Sequence, residues 1–344
     1  MKYKPLGNTG LYVSELTLGT MTFAEESGAF AKMIGHAGQQ LATRMVDLAA
    51  EAGVNFIDTA NMYSVGESEA IVGKALANRR NDFVVATKVF FPPGKGINDG
   101  GTSRLAIMRE VELSLKRLNT DWIDLYQVHR YDETTPLEET LRAMDDLVHQ
   151  GKVRYIGLSN FSAWQIAKAD MMARMLNLSR FVSVQAYYSL LGRELEREIL
   201  PAVKDLGLGT MIWSPLAGGF LSGKYTRESE ADGRRKNFDF PPINREKAYG
   251  VIDVAREIAN AHRASVAQIA LAWLLHREGV TTVIVGATKE AQLVDNLKAV
   301  DIALTDDEMK RLDEVSAIAP EYPLWMPPMV RGADPFARLQ SMTK

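Results

Sequence analysis

No cysteine occurs among the 344 residues. That excludes disulfides, cysteine-based zinc sites, iron–sulfur clusters and thiol nucleophiles. It is also the usage that a reducing cytoplasm permits, so a cytoplasmic protein is expected. Charge of either sign is nearly balanced: the formal net charge is −3, too small for a general attraction to nucleic-acid phosphates or anionic lipid. No apolar run reaches the roughly 18 residues that a membrane span needs. The opening stretch, MKYKPLGNTG, has no apolar core of the kind a signal peptide carries, so none is expected. Neither nucleic acid nor membrane is therefore an expected partner; a small molecule is, and nothing opposes a homo-oligomer.

Hydrophobic residues make up 46% of the chain and charged residues 24%, as in an ordinary soluble globular protein. Short apolar, β-branched runs recur along it: ELTLGT from Glu15, VNFIDTA from Val54, FVVATK from Phe83, IDLYQVH from Ile123, RYIGLSN from Arg154, VSVQAYY from Val182, TMIWSP from Thr210 and TVIVGA from Thr282. Their length and continuous apolarity suit strands buried on both faces. Amphipathic stretches such as LATRMVDLAAEAG, SRLAIMREVELSLKRL, PLEETLRAMDDLVHQG and QIAKADMMARMLN lie between them, and several stop at a glycine: Gly53, Gly151, Gly207. Eight strands separated by helices predict an α/β fold, the (β/α)8 TIM barrel. The alternative, a doubly wound open sheet, lacks its G-x-G-x-x-G after the first strand.

The remaining sequence decorates that barrel. Met1–Ser14, with GNTG at its middle, reads as an N-terminal hairpin. Long loops at the C-terminal face follow strand one (Phe23–Gln39), strand three (Pro92–Ser103) and strand seven (Leu221–Asn244). A proline-containing tail from about residue 319 ends the chain and would form a substrate loop. Residues 1–344 are expected to form a single domain.

In such a barrel the active face lies at the strand C-termini. There, otherwise apolar runs end in polar residues: strand two at Asp58 with Tyr63 in its loop, strand three at Lys88, strand four at His129. Strands five and six add Ser159, Asn160 and Gln185. Buried ionisable groups cost free energy unless paired. Asp58 and Lys88 therefore admit one plain reading, a structural ion pair, while His129 alone would be a core histidine and Tyr63 alone a packing residue. Their convergence at one face favours chemistry. A tyrosine with an ordinary pKa of about 10 is a poor acid at neutral pH; a neighbouring ammonium stabilises its phenolate. Lys88 can be that ammonium, Asp58 can hold it, and His129 can hydrogen-bond a carbonyl oxygen. The set suits hydride addition to an aldehyde or ketone, with no metal. A glycosidase barrel would need two carboxylates facing the cleft; the tips of strands four and seven offer His129 and Trp213–Ser214 instead.

KYKPLGNTGLYVSELTLGTMTF, FIDTANMY, VVATKV, SLKRLNTDWIDLYQVHRYD, GKVRYIGLSNF, VQAYYSLL, WSPLAGGFLSGKY and VIVGATKEAQLVDNL, spread over nearly the whole chain, closely resemble the aldo-keto reductase superfamily. HRYD and the long loops are similar to the branch of bacterial aryl-aldehyde and aryl-alcohol reductases and potassium-channel β subunits. The resemblance implies that Asp58, Tyr63, Lys88 and His129 are the catalytic tetrad and that the cofactor is a nicotinamide dinucleotide, NADP(H) ahead of NAD(H). It implies contacts near the nicotinamide from Gly19, Thr20 and Met21, and carboxamide binding by Ser159, Asn160 and Gln185. It implies stacking by Trp213, pyrophosphate binding by Ser214, Leu216, Gly218 and Lys224, and adenosine contacts from Gly286, Thr288, Gln292 and Asn296. The residues themselves add two points. Gly218 and Gly219 lack side chains that would hold a phosphate away, and a helix starting in VGATKEAQ offers free N–H groups to an anion.

Two features stay open at this level. Where some family members grip the 2′-phosphate with arginine, this chain has Gln292; Lys224, Arg234, Arg235 or Lys289 would have to supply the charge. Phe23, Phe90, Phe91, Tyr131, Trp325 and Met326 either line an apolar substrate pocket or cover the rim. The expected activity is NADPH-dependent reduction of aldehydes, aromatic ones included, or ketones. The alternative is a cofactor-occupied regulatory subunit with little turnover.

Overall fold

The chain begins with an antiparallel hairpin, β1 (Tyr3–Pro5) and β2 (Tyr12–Ser14), and each of the eight apolar runs then forms a strand. These are β3 (Leu16–Gly19), β4 (Phe56–Asp58), β5 (Val84–Val89), β6 (Ile123–Val128), β7 (Val153–Ser159), β8 (Ser183–Tyr187), β9 (Gly209–Trp213) and β10 (Thr282–Val285). Every neighbouring pair is parallel, and β10 pairs with β3, so the sheet closes on itself. The structure, a computed structural model, describes residues 1–25, 29–92, 94–227 and 234–326; the side chains of Ala29, Phe30 and Arg234 also lie outside that description.

The four amphipathic stretches are helices Gln39–Glu51, Arg104–Leu118, Leu137–His149 and Ala163–Met175. Their ends follow local chemistry: the Ser103 side chain accepts from the Ala106 N–H at the start of one, and Gly207, left-handed at φ 69°, ends the helix Ile199–Leu206. Outward strand residues such as Leu18, Ile57, Val85 and Tyr126 pack under these helices in the larger hydrophobic core.

Inward residues recur with period two, and they change character along the barrel axis. Near the strand starts Phe56, Ala86, Leu125, Met211 and Ile284 form a second apolar cluster. Leu6 and Val13 from the hairpin complete it, both fully buried. The hairpin seats closely because of Gly7: a Cβ there would lie 2.6 Å from the Val182 carbonyl oxygen and 2.7 Å from the Gly209 nitrogen. Asn8 N–H donates to the Gly207 carbonyl at 2.8 Å, and Lys4 Nζ donates to that of Val280 at 2.9 Å. One pleat later the same strands present Asp58, Lys88, Gln127 and Trp213. That step from apolar to polar is what positions the site.

The predicted loops lie at this far end. The one after β3 carries the short helix Ala29–Ile34 and a bridge between Phe23 and Ala37. The one after β9 carries the helix Arg234–Asn237, which packs against Ala29–Ile34 across the barrel mouth. In the tail, Trp325 and Met326 are exposed; residues 327–344 lie outside the described residues. No described helix is long and apolar enough to cross a membrane.

Candidate active site

Lys88 is fully buried, and its Nζ donates to Asp58 Oδ2 at 2.6 Å, to the Thr59 carbonyl at 2.8 Å and to the Tyr63 hydroxyl at 3.2 Å. Burial alone would lower its pKa, but Asp58 and then Tyr63 outweigh burial, and the ammonium is held above the ordinary lysine value. The second oxygen of Asp58 accepts from Gln127 Nε2 at 3.1 Å and from Gln185 Nε2 at 2.8 Å. A buried carboxylate is costly unless its lone pairs are filled; here three side chains fill them.

His129 follows β6, its backbone N–H held by the Val89 carbonyl. Its ring lies edge-on to those of Tyr63 (centroids 6.1 Å apart) and Phe91 (5.0 Å). Burial, then the Lys88 charge, push its pKa well below the usual histidine range, so the imidazole is neutral at physiological pH. Its Nδ1 is buried without a partner among the described residues, and the residue lines the cavity.

Tyr63 enters on an unusual turn. Ser64 (φ 47°, ψ 42°), Val65 (φ 57°, ψ 40°) and Gly66 (φ 88°, ψ −3°) are consecutive left-handed residues, and Val65 is 71% exposed. Such a conformation costs a non-glycine residue roughly 1–2 kcal/mol, so the turn must be held from outside.

These side chains face a cavity of ≈ 1590 Å³, larger than the roughly 300–1,000 Å³ typical of drug-sized sites. No cluster of His, Asp or Glu among the described residues could hold a metal.

A model of the aldo/keto reductase family matches residues 15–317. The chain belongs to this family. It is an oxidoreductase, and aldo-keto reductases generally use NAD(P)H. An uncharacterized oxidoreductase of Bacillus subtilis is 40% identical over 92% of this chain and 96% of its own length. A rice protein (Oryza sativa subsp. japonica) named "Probable voltage-gated potassium channel subunit beta" is 38% identical over 93% of this chain and 98% of its own. A Schizosaccharomyces pombe protein bearing the name of an aryl-alcohol dehydrogenase is 34% identical over 91% and 95%.

The residues of this aldo-keto reductase fit a dinucleotide. Gly19, Thr20, Met21, Asn160, Gln185, Trp213, Ser214, Leu216, Gly218, Lys224, Gly286, Thr288, Gln292 and Asn296 all line the cavity, as do Asp58, Tyr63 and His129. Lys88 and Ser159 sit behind its wall, both fully buried. Ser214, Ala217, Gly218 and Gly219 all have positive φ, and no described residue lies within 4 Å of where a Gly219 Cβ would be; the loop presents open backbone there. Helix Glu290–Leu297 starts at Lys289 with no side-chain cap, leaving N–H groups for an anion.

Several sequence expectations change in detail. Asn160 is already engaged: its Nδ2 donates to the His129 carbonyl and Ser159 Oγ, both at 2.9 Å, and its Oδ1 accepts from Trp213 Nε1 at 3.0 Å. It orients the indole. Gln292 Oε1 accepts from Thr288 N and Oγ1, at 3.1 and 3.2 Å. Arg235 is not among the residues that line the cavity. It is buried, donates at 2.8 Å to the Ala217 and Pro241 carbonyls, and pairs with Asp239 at 2.5 Å. Arg234's side chain lies outside the described residues. Lys224 and Lys289 line the cavity, and so do Lys32 and Lys236.

Of the six apolar candidates, Phe91 lines the cavity. Phe23 is core, Phe90 packs under Arg130, Tyr131 packs on Phe161 and Trp164, and Trp325 and Met326 are exposed away from it. In their place stand Phe238 and Phe240, the latter stacked on Trp213 at 5.8 Å and 8°. Sequence reasoning also passed over Gln127, although it lies two residues before His129 and so on the same face. Asp132, in HRYD, was passed over too. It accepts from Thr102, Thr134 and Thr135, tying the loop after β6 to the loop after β5. Burial would raise its pKa, but those threonines hold the carboxyl far below the usual range.

Proposed function

We propose that this aldo-keto reductase reduces aldehydes, aromatic ones included, and ketones to alcohols with NADPH. The observation that carries the reading is the buried chain Asp58–Lys88–Tyr63, with contacts of 2.6 and 3.2 Å, set beside a neutral histidine at the wall of a dinucleotide-sized cavity. When bound, the nicotinamide dinucleotide supplies a hydride to the carbonyl carbon. Tyr63 gives its hydroxyl proton to the carbonyl oxygen as that oxygen becomes an alcohol. Lys88 stabilises the phenolate left behind, and Asp58, braced by Gln127 and Gln185, keeps Lys88 charged. His129, uncharged, donates from its ring N–H to the carbonyl oxygen and does not compete with Tyr63 as an acid. Trp213, held by Asn160, would stack against the nicotinamide with the indole face that Phe240 leaves free.

Phe91, Phe238 and Phe240 make an aromatic wall, which supports aryl aldehydes; the fission-yeast relative's name points the same way. Lys224, Lys289, Lys32 and Lys236 around the cleft support NADPH over NADH. A regulatory subunit with little turnover is the second reading, favoured by the name of the rice relative. The test is turnover of a benzaldehyde series with NADPH and with NADH. Reduction at enzymatic rates with NADPH supports the proposal. Tight cofactor retention without consumption supports the regulatory reading, and equal use of NADH removes the cofactor assignment.

A further inference from the structure

The left-handed turn after Tyr63 is held by a polar network on the outer side of the barrel wall. Asn61 lies between Asp58 and Tyr63 and is fully buried. Its backbone N–H donates to the Lys88 carbonyl, and its Nδ2 donates to the Phe91 carbonyl at 3.2 Å and to Glu110 Oε2 at 2.9 Å. Glu110, on helix Arg104–Leu118, is itself 5% exposed. One face of that helix also presents Ser114 and Arg117. Arg117 Nε pairs at 2.6 Å with Glu69, which is fully buried and accepts from Thr87 Oγ1 at 2.6 Å. Its NH2 approaches Glu110 at 3.8 Å.

The same arginine supports the turn from below. A Cβ on Gly66 would meet Arg117 Cδ at 2.6 Å, so only glycine lets the guanidinium pass under the turn. Tyr63 is thus bracketed: Asn61 pins the residues before it to the ends of β5, and Arg117 props the residues after it. Thr87 and Lys88, adjacent on β5, point to opposite faces. Through Glu69 the network grips the outer side of the strand whose inner side carries the ammonium.

We propose that Asn61, Glu110 and Arg117 are positioning residues that hold the Tyr63 hydroxyl against Lys88. None of them touches substrate or cofactor; they act through the turn. The inference rests on the reductase reading, and the turn's conformation gives it a distinct signature. If the bracket is loosened, Tyr63 drifts from the ammonium, so the proton-transfer step suffers while cofactor binding does not.

The test compares wild type with N61A, E110Q, N61D and the double variant N61D/E110Q, in reduction of a benzaldehyde over a range of pH. N61A is expected to lower kcat about tenfold or more, with KM for the aldehyde changed less than threefold and NADPH affinity unchanged; E110Q, whose amide oxygen still accepts from Asn61 but whose charge towards Arg117 is gone, should lower it less. The basic limb of the pH profile should move up by roughly half a unit or more as the ammonium's hold on the tyrosine weakens. N61D sets two carboxylates face to face and should be the worst single variant. The double variant rebuilds one donor–acceptor pair and should recover part of kcat and of the pH profile. A merely structural role would lower thermal stability in all of them and leave the pH profile in place; that result overturns the inference, as does a double variant no better than N61D. Absence of turnover in wild type would instead sink the reductase reading on which the inference stands.

Discussion

Phe56, Ala86 and Leu125, with Leu6 and Val13 from the hairpin, fill the barrel where its strands begin; two residues further along β4, β5 and β6 stand Asp58, Lys88 and Gln127. The lower end gains stability by removing apolar surface from water, about 1.5–3 kcal/mol for each fully buried large side chain. The upper end places an ammonium and a carboxylate out of water, and tolerates them through a closed set of donors and acceptors. Damage below should be graded and confined to stability. Damage above should reach chemistry, and where it leaves a charge unpaired it should reach stability too.

The largest expected effect is on rate alone. Tyr63→Phe should lower kcat for aldehyde reduction by about a thousandfold while NADPH still quenches protein fluorescence as in wild type. Activity within tenfold of wild type would remove the tyrosine from its role.

Next comes the direct contrast of the two ends. Lys88→Met should lower kcat by about a hundredfold and cost roughly 3–5 kcal/mol in urea unfolding, because Asp58 stays buried without its partner. Adding Asp58→Asn should restore much of the stability and none of the rate. Leu6→Ala at the lower end should cost a similar 2–5 kcal/mol with kcat within about twofold of wild type. A rate loss in Leu6→Ala as large as in Lys88→Met would erase the distinction between the ends.

A smaller effect concerns cofactor choice. Replacing Lys289 by alanine should weaken NADPH about fivefold and leave NADH nearly unchanged, at roughly 1 kcal/mol or less for an exposed contact, with the gap closing as salt is raised; Lys224→Ala, at the shared pyrophosphate, should weaken both. Arg235→Ala should instead lower the melting temperature and weaken both cofactors alike, because its guanidinium braces Ala217 and Pro241. Selective loss of NADPH in Arg235→Ala would return that residue to phosphate recognition.

The smallest effect is on acid stability. The folded His129 resists protonation, whereas in the unfolded chain it takes a proton near pH 6.5. Below that pH the unfolded state binds more protons, so stability falls as pH drops, by at most about 1.4 kcal/mol per pH unit for this one group. His129→Gln should flatten that part of the unfolding profile between pH 6.5 and 5.

The strands were legible because a buried parallel strand must be continuously apolar, and Asp58, Lys88 and His129 stood out as exceptions at the strand ends. Other roles could not be read, each for a physical reason. Glu110 and Arg117 look like solvated charges on an amphipathic helix; only the close packing of that helix against Glu67–Ala75 takes Glu110 out of water and partly covers Arg117. Arg235 sits in a charged run that reads as a solvated loop, yet the carbonyls it satisfies belong to residues 217 and 241, which the fold alone brings together. Phe238 and Phe240 belong to an insert without periodicity, so their place beside Trp213 depends on how that insert packs across the mouth.

The seating of the hairpin bears on the order in which the molecule assembles. Gly7 presses on Val182 and Gly209, Asn8 is held by Gly207 and Lys4 reaches Val280. The surface that receives the first dozen residues is therefore made by β8, β9 and the chain entering β10, more than 170 residues later in the sequence. The hairpin can find its complete seat only once the chain as far as β10 is present and the sheet has closed. Its docking is thus a late event in folding, a latch that reports whether the whole barrel has been completed.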